Sequence, residues 1–168
     1  MKLFYILLPT IFLFSYDAKP KFDIQLPEGY VIETTSDEYN LLTASKYIDD
    51  EIVGMIEIRY SDDWSFSTFS NHTYMAQVME GNDLEQASAM MFDNFKVILK
   101  EQSYLNGVGD CVSVIYSGDY YSNGVRVTNT VFQFIKNKQL FTLTGSAFPE
   151  TFSSEYKSFL KSFDTFKL

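Results

Sequence analysis

Most of this chain after residue 20 is written in short runs where apolar and polar side chains alternate, the two-residue period of a half-buried strand. Residues 22–26 alternate in this way, Pro27-Glu28-Gly29 supplies a turn, and residues 30–34 form the next run. Residues 41–48 and 52–60 flank Asp49-Asp50-Glu51. In the second of these, Ile52, Gly54, Ile56 and Ile58 share one face and Val53, Met55, Glu57 and Arg59 the other, so the pair predicts a hairpin. Residues 109–117, 125–135 and 140–147 continue the pattern, and Ser122-Asn123-Gly124 and Lys136-Asn137-Lys138-Gln139 serve as tight connections. The run from Val125 has Val127 and Val131 on one face and Phe132 and Phe134 on the other, which predicts a central strand covered on both sides.

Two segments follow the helical period instead. Asn82 and Glu85 have the spacing of a capping box, and Leu84, Ala87, Met91, Phe95 and Ile98 recur at three- and four-residue steps. That spacing predicts one long helix from residue 82 to about residue 101, with Met90-Met91 in its packed face. Near the end, Pro149 suits a first helical turn and Phe152, Tyr156, Phe159 and Phe163 make an apolar stripe, with Glu155, Lys157 and Lys161 off it. A final strand-like run covers residues 165–168, and residues 61–79 read as loop with a brief helix over 73–79. The whole predicts an α+β protein, an α/β/α sandwich around a central antiparallel sheet of about six to seven strands with one long helix and one C-terminal helix.

The N-terminus changes the picture of where this domain works. Lys2, a short apolar core broken by Pro9, and the small residues Ser15 and Ala18 are the parts of a secretory signal peptide. Residues 1–18 are therefore expected to be removed, with cleavage after Ser15 or Ala18, leaving a single domain over residues 19–168 in the periplasm or outside the cell. The apolar core is too short for a membrane span, and no cysteine follows it to carry a lipid, so no stable membrane insertion is expected after cleavage. At 17% aromatic residues, the chain has the material for a real core without metal or disulfide. Cys111 is the single cysteine and reads as a buried strand residue. A net charge of −9 argues against nucleic acid and anionic membranes as partners.

Several stretches together resemble a known family. Gly109-Asp110-Cys111-Val112-Ser113-Val114-Ile115-Tyr116, the strand ending Gln133-Phe134-Ile135, then Gln139-Leu140-Phe141-Thr142-Leu143-Thr144-Gly145-Ser146-Ala147, the helix with spaced aromatics, and Ser162-Phe163 before Phe166-Lys167-Leu168 are similar to the PsbP/Mog-like superfamily. The resemblance implies the same α/β/α sandwich and a role in binding rather than catalysis, as in photosystem II extrinsic subunits, Ran-binding Mog-type proteins and DcrB-like envelope proteins. An exported chain resembles the last group most. The resemblance carries over no functional residue.

No catalytic motif stands out. His72 is the sole histidine and lies in loop-like Ser70-Asn71-His72-Thr73; zinc sites built from several His and Cys are excluded by count, and no cofactor is expected. Asp49-Asp50-Glu51 and Asp62-Asp63 lack the spacing of a calcium loop and read as solvated turns. Trp64, Phe66, Phe69 and Tyr74 gather in the least regular segment and are the candidate binding residues, because loop aromatics line ligand grooves and anchor partners. The expected function is an exported, non-catalytic binding or accessory protein of the cell envelope, with a protein or small ligand there as partner. The alternative is a small extracellular hydrolase that would bring two of Asp49, Asp50, Asp62 and Asp63 together in a cleft.

Overall fold

A computed structural model describes residues 19–168, with the backbone alone at Trp64 and Leu84. The signal peptide and both cleavage positions fall on residues 1–18, outside the described residues. Strands β1 (Tyr30–Glu33), β2 (Asn40–Ile48), β3 (Glu51–Ser61), β4 (Phe92–Leu105), β5 (Gly109–Tyr120), β6 (Arg126–Lys136) and β7 (Gln139–Ala147) form one sheet in the order β1-β2-β3-β7-β6-β5-β4. Every pairing is antiparallel. The helices are α1 (Asn71–Glu80), α2 (Asp83–Ala89) and α3 (Pro149–Phe163), and a 3₁₀ turn covers Trp64–Thr68.

The expected hairpin over β2 and β3 is present, and its two turn residues, Asp49 (φ 51°) and Asp50 (φ 66°), both occupy the left-handed region that a two-residue hairpin demands. Asn137 and Lys138 do the same between β6 and β7. As expected, β6 is interior to the sheet and buried over nearly its whole length. Neither terminal run becomes a full strand: Asp23 and Lys167 exchange two backbone bonds of 2.9 Å as an isolated bridge. Phe22, Ile24 and Leu26 still pack on the core.

The long helix over residues 82–101 does not form. Helix α2 stops at Ala89, and the chain turns into β4, which pairs with β5 from Phe92–Tyr120 to Leu105–Gly109. Register shifts interrupt this ladder between Asp93 and Lys96 and again between Val97 and Leu99, with Asn94 at φ 50°. Each irregularity adds a residue to the alternation, so Phe92, Phe95, Val97 and Lys100, which share one face, fall at steps of three, two and three residues, close to helical spacing. The capping box is absent too: Asn82 Oδ1 accepts from Gln86 Nε2 at 3.0 Å, and Glu85 pairs with Lys100 Nζ at 2.6 Å. Met90 and Met91, expected in the core, are 79% and 58% exposed.

One face of the sheet carries the larger core. There α3 lays Phe159 and Phe163 on Phe132, Leu143 and Ile56, and Phe166 fills the space beside Phe134 and Phe141. Burying each of these rings is worth about 1.5 to 3 kcal/mol. Phe159 sits directly over Gly145, where any β-carbon would overlap its ring. Glu155, expected to lie off the apolar stripe, is instead buried at 7% exposure. Its carboxylate accepts from Lys46 Nζ at 2.6 Å and from the Tyr30 hydroxyl at 2.9 Å, tying α3 to β1 and β2. Burial and the neighbouring carboxylate both push the Tyr30 phenol far above its ordinary value.

Two substitutions separate these effects. Gly145→Ala should cost about 1 to 3 kcal/mol by forcing Phe159 out of its seat, read as a lower urea midpoint with an unchanged slope. Glu155→Ala should cost about 2 kcal/mol by stranding Lys46 and Tyr30, whereas Tyr30→Phe, which leaves the ion pair intact, should cost about 1 kcal/mol.

Candidate functional site

The opposite face is only partly covered. Strand register places side chains on it in rows: Val112, Gln133, Thr142 and Arg59; then Val114, Val131, Thr144 and Glu57; then Tyr116, Asn129, Ser146 and Met55. Helices α1 and α2 pack over β4, β5 and β6, where Met75, Val112, Val114, Val131, Tyr116 and Phe92 form a second core. Over β2, β3 and β7 no α-helix follows among the described residues, although the 3₁₀ turn reaches β7, and Arg59 lies on this more open half. It pairs with Asp37 at 2.5 Å and with Glu57 at 3.2 Å.

At one end of this face the aromatic segment closes over the sheet. Asp63 Oδ1 accepts from Ser65 N–H at 2.8 Å and starts the 3₁₀ turn, while Ser70 Oγ accepts from Thr73 N–H at 3.1 Å and starts α1. Asn71 then pins α1 to the sheet, donating to the Asp110 carbonyl at 2.7 Å and accepting from Ile135 N–H at 2.8 Å. The brief helix expected over 73–79 is thus α1, and Asn71-His72-Thr73 belongs to its first turn. Phe66, Phe69 and Tyr74 come together around a cavity of about 310 Å³ with Gln77, Val78, Asp83, Gln133 and Leu140. Phe66 meets Tyr74 edge-on at 6.3 Å, and the Tyr74 hydroxyl donates to Gln133 Oε1 at 2.8 Å. Trp64 opens the 3₁₀ turn that leads into this cavity.

At the other end lies a cleft that the residue pattern alone did not reveal. The tip of the β2–β3 hairpin contributes Glu51, Ile52, Val53 and Met55, the β5–β6 connection contributes Tyr120, Asn123, Val125 and Val127, and Ser146, Ala147 and Phe148 line the floor, enclosing about 480 Å³. Two of its polar side chains are engaged locally. Ser146 Oγ donates to Asn129 Oδ1 at 2.5 Å, and Asn123 Oδ1 accepts from Val125 N–H at 3.0 Å. Exposed Ile48, Ile52, Tyr121 and Val125 extend the apolar character of the two tips onto the rim. The sequence signal is Val53 and Met55, apolar residues on the same face of β3 as Glu57 and Arg59.

The acidic residues on which hydrolysis would depend lie in two adjacent pairs at opposite ends of β3, and none of the four lines either hollow. Asp49 and Asp50 turn the β2–β3 hairpin, Asp62 is exposed, and Asp63 is held below the usual carboxylate range by the Ser65 N–H it caps. His72 is exposed beside Asn71, Met75, Gln102, Ser103, Tyr104 and Asp110, and among the described residues no group of three His, Cys, Asp or Glu is placed to hold a metal. Cys111 is fully buried, and burial pushes its thiol up to about 11, so it lacks thiolate character at neutral pH.

No family model matches the chain, and no curated protein does. Solved structures do. Cyanobacterial PsbP (CyanoP) from Synechocystis is 12% identical over 88% of this chain and 86% of its own, with a TM-score of 0.55. LpqN, described as involved in cell envelope biogenesis of Mycobacterium tuberculosis, is 10% identical over 92% and 86%, with a TM-score of 0.57. A Bacteroides thetaiotaomicron protein is 11% identical over 87% of this chain and 44% of its own, with a TM-score of 0.52. The fold is PsbP-like. At these identities the likeness concerns the backbone arrangement and does not extend to the side chains that line the two cavities.

Burial also lifts the Tyr116 phenol to about 12 and the Tyr74 phenol above its ordinary value. A raised pKa in the folded state favours the neutral form, so this stabilisation is complete below pH 10.0, the ordinary phenol value, and is lost as pH rises beyond it. Thermal midpoints should therefore fall above about pH 10, and Tyr116→Phe should flatten that decline. Cys111→Ala should remove the part that begins near the ordinary thiol value of 9.0.

Proposed function

We propose that this protein is an exported, non-catalytic binding or accessory protein of the cell envelope. The observation that carries the reading is the uncovered half of one sheet face, bounded by an aromatic cavity at Phe66, Phe69 and Tyr74 and by an apolar cleft at Val53, Met55 and Val127. Both hollows offer shape and hydrocarbon, the properties of recognition sites. Neither brings together a nucleophile and a base, and the four turn carboxylates, two at each end of β3, line neither hollow. The PsbP-like fold shared with LpqN, a protein of envelope biogenesis, supports the envelope assignment. The signal-peptide pattern of residues 1–18 supports export, and none of the described helices is long and apolar enough to cross a membrane.

Trp64, Phe66, Phe69 and Tyr74 are proposed as the surface that meets a protein or small ligand of the envelope. Fractionation with N-terminal sequencing tests the location: the mature chain should begin at Tyr16 or Lys19 and leave the cells on osmotic shock without detergent. An unprocessed chain in the cytosol would refute export. Photo-crosslinking from position 69 in living cells tests the surface: the adduct formed there should disappear in Phe66→Ala, and an adduct unaffected by that change would remove the aromatic segment from the reading.

A further inference from the structure

We infer that the cleft between the two hairpin tips binds the hydrocarbon part of an amphiphile whose head group is cationic. This rests on the binding reading above but not on the location or the aromatic segment, and a purified protein suffices to test it. The walls are Ile52, Val53, Met55, Val125, Val127 and Phe148, and the volume of about 480 Å³ is that of a small-molecule site. Ser146 and Asn123 already hold partners within the protein, so beside the Tyr120 hydroxyl the interior offers a guest mainly hydrocarbon. A purely polar ligand would lose its water there without replacement bonds.

The head group follows from the mouth. Glu51 lines the cleft, Asp49 and Asp50 adjoin it at the exposed hairpin tip, and no Lys or Arg is among the lining residues. On the opposite tip Arg126 is matched by Asp119 at 2.9 Å, which leaves little positive potential toward the opening. One carboxylate at the mouth and two at the adjoining turn, screened by water and salt, change affinity by about five-fold for one unit of charge. The net charge of −9 acts in the same direction at longer range. An anionic amphiphile is repelled on both counts.

Three probes with straight nine- to ten-carbon tails and different heads, decyltrimethylammonium, 1-decanol and decanoate, test this below their micelle or solubility limits by NMR titration of the full protein. Saturable shifts should appear at Val53, Met55 and Val127, with affinity falling in that order of probes. The combined variant Asp49→Asn, Asp50→Asn and Glu51→Gln keeps residue types that tolerate the turn's positive φ. It should weaken decyltrimethylammonium about five-fold and leave 1-decanol unchanged. Val53→Trp, or Val125→Trp on the exposed connection should the first perturb β3, should block all three. The assignment is overturned by shifts that do not saturate, by shifts centred on Phe69 and Tyr74, or by decanoate binding as tightly as the ammonium probe. Concentration-dependent shifts at the cleft without any probe would also overturn it, because they would mean that a second copy of the chain occupies the site. Success or failure here leaves the crosslinking test of the aromatic segment independent.

Discussion

The seating of Phe159 on Gly145 is the constraint on which the rest of the arrangement hangs. A single helix, α3, has to cover a sheet of seven strands, and it reaches β3, β6 and β7 together only by lying close against the central strand. A glycine under an aromatic ring makes that approach possible. Once α3 is seated there, Glu155 arrives beside Lys46 and Tyr30 and locks the β1–β2 edge that the helix does not itself span. Phe166 then closes the other side, and Gly107, at the β4–β5 turn, lets the backbone of Phe166 come so near that no β-carbon would fit. Both glycines are required by close approach, since neither has a positive φ.

With one face satisfied in this way, the chemistry of the molecule is pushed to the other. Helices α1 and α2 total seventeen residues between them by their bounds, Asn71–Glu80 and Asp83–Ala89, and they shelter the β4–β5–β6 half. The β7–β3–β2 half is left with polar Thr142, Thr144, Glu57 and Arg59 in its middle, where water suffices as cover. Apolar Val53 and Met55 have no such recourse, and the cleft they line follows from a helical layer narrower than the sheet.

How much of this was legible depended on how local the deciding interaction is. The β2–β3, β5–β6 and β6–β7 hairpins could be read because turn chemistry and alternation sit within a few residues of each other. The C-terminal helix could be read from its aromatic stripe and Pro149. Strand β4 could not, because two irregularities in its ladder reproduce helical spacing, and only its pairing with β5 distinguishes the alternatives. Gly118 marks that pairing, since Phe92 crosses directly above it, but nothing within ten residues of Phe92 announces the contact. Glu155 was misplaced for the same reason: its partners lie more than a hundred residues away, with a separation of 109 for Lys46 and 125 for Tyr30. The aromatic cavity was visible as clustered side chains in one segment, whereas the cleft joins residues of two hairpin tips and the end of β7.

The acidic tip illustrates why turn chemistry and recognition have to be weighed separately. Asp49 and Asp50 both sit at positive φ, and aspartate is among the few residues that accept it, so hairpin geometry alone accounts for their presence. Glu51 has no such explanation. It is the first residue of β3, a poor strand former with an exposed side chain at the opening of an apolar cleft, and an uncharged β-branched residue would serve the strand better. Turn geometry therefore specifies the acidic residue at two positions and leaves it unspecified at the third. It is the third that lines the cleft, which is why the head-group preference of that site, rather than the stability of the hairpin, is where Glu51 should matter.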